Sequence, residues 1–172
     1  MAKRGFLARH GIVRNAIRED LLYFALPWLL VLVAGTVLSA WDLVRQQESQ
    51  FVFSVQNFVG AALFVIGFTI ELGAQITLRH SYSSTLVIRE DHQLVTHGVY
   101  RFIRHPIYLG VILVFIGIAV FASSLYGLLA FSALIPVFLN RIRMEERLLT
   151  EEFGDTYRMY KKTTRKLIPF IY

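Results

Sequence analysis

The stretch PIYLGVILVFIGIAVFASSLYGLLAFSALIPVFLN, Pro106 to Asn140, contains no Asp, Glu, Lys, Arg or His. One helix of about 34 residues would rise about 51 Å, well beyond a hydrocarbon core of roughly 30 Å. The sequence therefore predicts two short antiparallel helices, 106–122 and 125–140, folded back at Ser123-Ser124. Gly110, Gly117 and Gly127 permit close helix approach. Polar groups ahead of Pro106 must then meet those that follow Asn140, on one side of the membrane.

Two more uncharged runs lie upstream. Leu21 to Ala40 follows Lys3, Arg4, Arg9, Arg14 and Arg18, and Phe51 to Ile70 ends at Glu71, with Leu72 to Leu78 continuing its helical pattern. The first run exceeds a secretory h-region of about 7 to 15 residues and reads as a signal anchor, with Pro27 placed to kink it. The fold expected is an all-α integral membrane protein of one domain with about four transmembrane helices: 21–40, 51–72, 106–122 and 125–140. Between the second and third, 79–105 forms a polar segment, with a small hairpin made by Thr85–Ile88 and Leu94–Thr96 around Arg89-Glu90-Asp91-His92.

Composition agrees with this class. Hydrophobic residues make up 55% and charged residues 17%, against about a quarter charged in soluble domains. The absence of cysteine excludes disulfides, thiolate nucleophiles and zinc–thiolate or iron–sulfur sites. A net charge of +6 sits in segments flanking apolar runs, where topology and anionic membrane lipids account for it and nucleic acid is not implied. Lys and Arg number five before the first run, one (Arg45) after it, four in 79–105, none at Ser123-Ser124 and eight in 141–172. The positive-inside rule then places both termini and the 79–105 segment in the cytosol, of a bacterial inner membrane or an endoplasmic reticulum alike. No motif speaks to oligomeric state.

Two clusters bracket the expected hairpin. One runs from Leu94 to Gly110 and includes Arg104-His105-Pro106; the other is Arg141-Ile142-Arg143-Met144-Glu145-Glu146, followed by Phe153-Gly154, Tyr157 and Tyr160. On a helix Arg141 and Glu145 share a face, while Glu146 is rotated by about 100°. Such a pair can bind both ends of a zwitterion, or be an ordinary surface ion pair. Pro106 suits a first helical turn, whose free amides favour an anionic or polar ligand. His105 and Arg104 fit such a site, and equally an interfacial hydrogen bond and a lipid-phosphate contact. Tyr100 and Tyr108 fit a pocket or an interfacial aromatic belt. His80, His92, His97 and His105 lack helical metal spacing, and no metal site is expected.

The order Gly98-x-Tyr100-x-x-x-Arg104-His105-Pro106-x-Tyr108-x-Gly110, an apolar hairpin, then Arg141-x-x-x-Glu145-Glu146 and Phe153-Gly154-x-x-Tyr157-x-x-Tyr160 resembles the isoprenylcysteine carboxyl methyltransferase and phospholipid methyltransferase superfamily. The resemblance covers about half the chain, Leu94 to Pro169. It implies an integral membrane enzyme using S-adenosyl-L-methionine in a cytosol-facing pocket, with a lipophilic or prenylated acceptor entering from the bilayer. By that resemblance Leu94, Val95, Gly98, Val99, Tyr100, Arg104, His105, Pro106, Tyr108, Glu145 and Glu146 contact the cofactor, and Arg141 and Glu145 stand nearest the methyl acceptor. The acceptor implied first is an isoprenylcysteine carboxylate; a phospholipid amine or a small thiol is the alternative. An NADPH-dependent sterol-type reductase shares an Arg-His-Pro-x-Tyr element, and a non-catalytic scaffold is the third reading.

Overall fold

The computed structural model describes residues 21–47, 53–78 and 94–169. The basic segment 1–20 and residues 85–92 of the expected hairpin lie outside the described residues, while residues 94–96, its other arm, are described and form no strand. A π-helical turn, Leu21–Ala25, leads into α1 (Leu26–Gln47); α2 is Val55–Leu78; a 3-10 turn spans Gly98–Arg101; α3 is Pro106–Phe121, α4 Leu125–Ser132 and α5 Leu134–Thr163. Among the described residues the only β feature is a lone parallel bridge between Ile103 and Arg165. Among the described residues three stretches are long and apolar enough to cross a membrane, α1, α2 and the α4–α5 run, and α3 is a shorter apolar helix.

The chain folds back where its length demands. Ser123 takes φ +50° and Ser124 caps α4, its Oγ accepting from the Gly127 amide at 2.9 Å. Pro136 cannot donate an N–H to the Ser132 carbonyl, and the helix is interrupted at Ala133 before α5 resumes. The expected 125–140 helix is thus two pieces, and the second runs on through Arg141 to Glu146.

α2 and α3 meet backbone to backbone. A Cβ on Gly67 would stand 2.6 Å from the Gly110 carbonyl, and one on Gly117 2.6 Å from the Phe64 amide, so the seam admits only hydrogen at these positions. α1 extends to Gln47, past its expected end at Ala40, because the polar groups there have distant partners. Asp42 accepts from Ser124 Oγ at 2.6 Å and Gln46 donates to the Ala122 carbonyl at 2.9 Å. From α2, Asn57 donates to the Phe121 carbonyl at 2.6 Å, and the turn between α3 and α4 is held from both sides. Phe131, Leu134, Phe138, Ile142, Ile112 and Ala119 form the core, while Leu30, Val37, Phe58, Val65 and Phe68 point outward, as surfaces in contact with lipid do.

Candidate active site

At the other end of α3 the hairpin delivers Arg104 and His105 against the first polar turns of α5. Arg104 Nε donates to Glu146 Oε1 at 2.8 Å, and its Nη1 donates to the carbonyls of Thr164 at 2.6 Å and Lys161 at 3.3 Å. Lys161 Nζ lies 3.3 Å from the second oxygen of Glu146. His105 stands between the two carboxylates, Nδ1 3.4 Å from Glu145 and Nε2 3.7 Å from Glu146. Glu145 in turn accepts from Arg141 Nε at 3.2 Å and from the Tyr108 hydroxyl. The helical rotation between adjacent residues explains the division: Glu145 looks toward Arg141 and Tyr108, Glu146 toward Arg104 and Lys161.

Backbone hydrogen bonds fix the loop that carries Arg104. The Arg104 and His105 amides donate to the carbonyls of Arg165 and Lys166 at 2.8 and 3.0 Å, Arg165 returns a bond to Phe102 at 3.1 Å, and the Tyr160 hydroxyl donates to the Tyr100 carbonyl at 2.6 Å. The chain reaches back this far because α5 breaks at Gly154, at φ 52° and ψ −123°, a conformation open to glycine and costly for other residues.

Burial and charge set the ionisation. Burial alone would raise the Glu146 carboxyl, but His105 and Arg104 outweigh it and bring the group down to about 2. Burial likewise opposes ionised Glu145, and contacts with His105, Tyr108 and Arg141 hold it below the usual carboxylate range. His105 is pushed down by burial and further up by the two glutamates, ending above the ordinary imidazole value. Both carboxylates stand at the N-terminal end of α3, where the helix dipole favours negative charge. The Tyr157 hydroxyl is buried without a hydrogen-bond partner, and burial, then nearby Glu146, raise its pKa.

The structure joins Arg104, His105, Tyr108, Arg141, Glu145 and Glu146 in one network, with Pro106 buried at the first position of α3. The buried Tyr100 offers its carbonyl to the Tyr160 hydroxyl. Gly98, at φ +61°, rests beside Thr77 at the end of α2; Leu94, Val95 and Val99 are half-buried around that turn, outside the ionic network. Sequence reasoning missed Lys161, Thr164 and Phe24. Lys161 follows Glu146 by fifteen positions, about 22 Å along a straight helix, and only the break at Gly154 brings it back. Phe24 places its ring 4.5 Å from the Arg141 guanidinium. No motif in the sequence ties it to that residue.

Residues 60–151 match the model of the isoprenylcysteine carboxyl methyltransferase (ICMT) family. The chain belongs to this family. Its relatives include protein-S-isoprenylcysteine O-methyltransferase A of Arabidopsis thaliana, 35% identical over 120 residues, which are 68% of this chain and 60% of that protein. Protein-S-isoprenylcysteine O-methyltransferase of Schizosaccharomyces pombe is 32% identical over 70% of this chain and 52% of its own length. Methanethiol S-methyltransferase 1 of Bradyrhizobium diazoefficiens is 42% identical over 53% of this chain and 32% of its own length. The solved structure of the eukaryotic intramembrane Ras methyltransferase ICMT superposes with a TM-score of 0.70 at 26% identity, covering 84% of this chain and 52% of that one. The chain therefore spans between half and three-fifths of these ICMT relatives. Membership in a methyltransferase family sets aside the reductase reading.

Proposed function

We propose that this protein transfers a methyl group from S-adenosyl-L-methionine to a lipophilic acceptor, foremost the carboxylate of an isoprenylcysteine. The observation that carries this reading is the Arg104–Glu146–His105–Glu145–Arg141 network, which sets opposite charges side by side at the end of membrane helices. The same residues suit the cofactor. Ionised Glu145 or Glu146 can receive an ammonium group, the 94–108 segment can line the pocket, and the orphaned Tyr157 hydroxyl leaves a donor for a polar ligand. Arg104 serves the site by tying the C-terminal chain to Glu146. When bound, S-adenosyl-L-methionine supplies a methyl already activated by a sulfonium. A carboxylate acceptor is deprotonated at neutral pH and needs no base, so Arg141 has only to hold it in line while the surrounding rings exclude water. We place both termini and the network on the cytosolic side, from the distribution of Lys and Arg.

Membranes containing the protein, incubated with methyl-labelled cofactor and N-acetyl-S-farnesylcysteine, are expected to form a base-labile methyl ester. A second reading, methylation of a small thiol, draws on the 42% identity with the methanethiol enzyme. An alkanethiol offered in the same assay would then give a base-stable labelled thioether. Label on neither acceptor, with no heat of binding for S-adenosylhomocysteine, would leave a scaffold and sink both.

A further inference from the structure

We propose that Phe24 determines acceptor specificity and positions Arg141, resting on the methyltransferase reading above. Arg141 is 3% exposed. A cation so buried needs compensation, and it receives two kinds: the Glu145 carboxylate at 3.2 Å and the face of Phe24 at 4.5 Å. The ring is itself held by two others. Tyr108 meets it edge-on with centroids 6.5 Å apart, Phe138 lies 6.0 Å away, and these two are 5.0 Å from each other. Rings from three helical segments thus form one cluster, and Phe24 presents its face to the cation, a setting that fits an anion joined to an unsaturated branched chain.

Local structure aims Phe24 inward. Pro27 offers no N–H to the Tyr23 carbonyl, and the preceding turn, Leu21–Ala25, is the wider π form. Such turns gather at functional sites, where one extra residue per turn redirects a side chain. Phe24 also precedes residues 60–151, which match the family model. Arg141 and Glu145 lie within those residues, whereas the ring that covers Arg141 lies ahead of them.

The test uses the full chain in liposomes, with KM measured separately for cofactor and for farnesyl- and geranyl-cysteine derivatives. Phe24→Ala is expected to raise the farnesyl acceptor KM about tenfold, the scale of a lost cation–π and ring contact, with cofactor KM held within about twofold. Its preference for farnesyl over geranyl should shrink. Phe24→Tyr, which keeps the ring, should behave as wild type, and Phe24→Leu should fall between; the Leu variant carries the comparison if the Ala variant does not insert. An unchanged acceptor KM, or acceptor and cofactor KM rising together, overturns the role of Phe24 alone. A wild-type protein that methylates no prenylcysteine overturns the proposed acceptor, and this inference with it.

Discussion

The two ends of α3 are both pinned by polar side chains, yet by different physics. At the Ala122–Ser124 turn, Gln46 and Asn57 donate neutral hydrogen bonds to backbone carbonyls, and Asp42 accepts from Ser124. At the Pro106 end, two arginines, a lysine and a histidine crowd two glutamates with little access to solvent. Two amide donors and one hydroxyl–carboxylate bond satisfy a turn at small cost. Buried ion clusters rarely stabilise more than an apolar core of the same shape would, because desolvation offsets the attraction. Keeping the expensive arrangement at one end only fits the binding site proposed there, and the other end shows what closure of the hairpin needs.

The contrast can be broken most directly at Arg104. Arg104→Ala leaves Glu146 with Lys161 and His105 only, and should cost about 3 kcal/mol in unfolding and at least about 100-fold in methyl transfer. Arg104→Lys should not restore either, since one ammonium cannot reach a carboxylate and two carbonyls as the guanidinium fork does. Normal turnover by Arg104→Ala would mean that the charged end is only structural.

Titration sharpens the same contrast. Glu146 is depressed on folding, so its contribution is present above the unfolded carboxyl value and fades as pH falls toward about 2. His105 is raised, so its contribution is complete below the ordinary imidazole value and is lost as pH climbs through the folded one. Thermal unfolding followed against pH should therefore show a shallower acid limb in Glu146→Gln, where Glu145 alone remains depressed, and lose its neutral-to-alkaline limb in His105→Gln. A profile unchanged by either would show the carboxylates solvated.

Smaller effects belong to the seam and the turn. Gly117→Ala forces a methyl against the Phe64 backbone and should destabilise by about 1–3 kcal/mol while both KM values stay put. Ser124→Ala removes the α4 cap and its bond to Asp42, for about 1 kcal/mol in denaturant unfolding and no kinetic change. A shifted KM in Ser124→Ala would show that the ends are coupled, and the contrast between them would fail.

Much of this was legible in the residues. An uncharged stretch longer than a bilayer must double back, and the clusters at its two ends must then be neighbours; Arg104 and Glu146 are bonded accordingly. The helical nature of Trp41 to Gln47 was not legible, because Asp42 and Gln46 find partners about eighty positions away. Nor was the second half of the hairpin as two helices, although Pro136 stood in the sequence as a signal.

Hydrophobic length, periodicity and ordered motifs are local properties, and from them the chain alone determined a helical membrane protein of this family with its charged clusters gathered at one end of a hairpin. Packing decided the rest: which glutamate faces which cation, that Lys161 returns across the break at Gly154, and that Phe24 covers Arg141. Those pairings depend on distances between residues far apart in sequence, and such distances exist only once the helices have met.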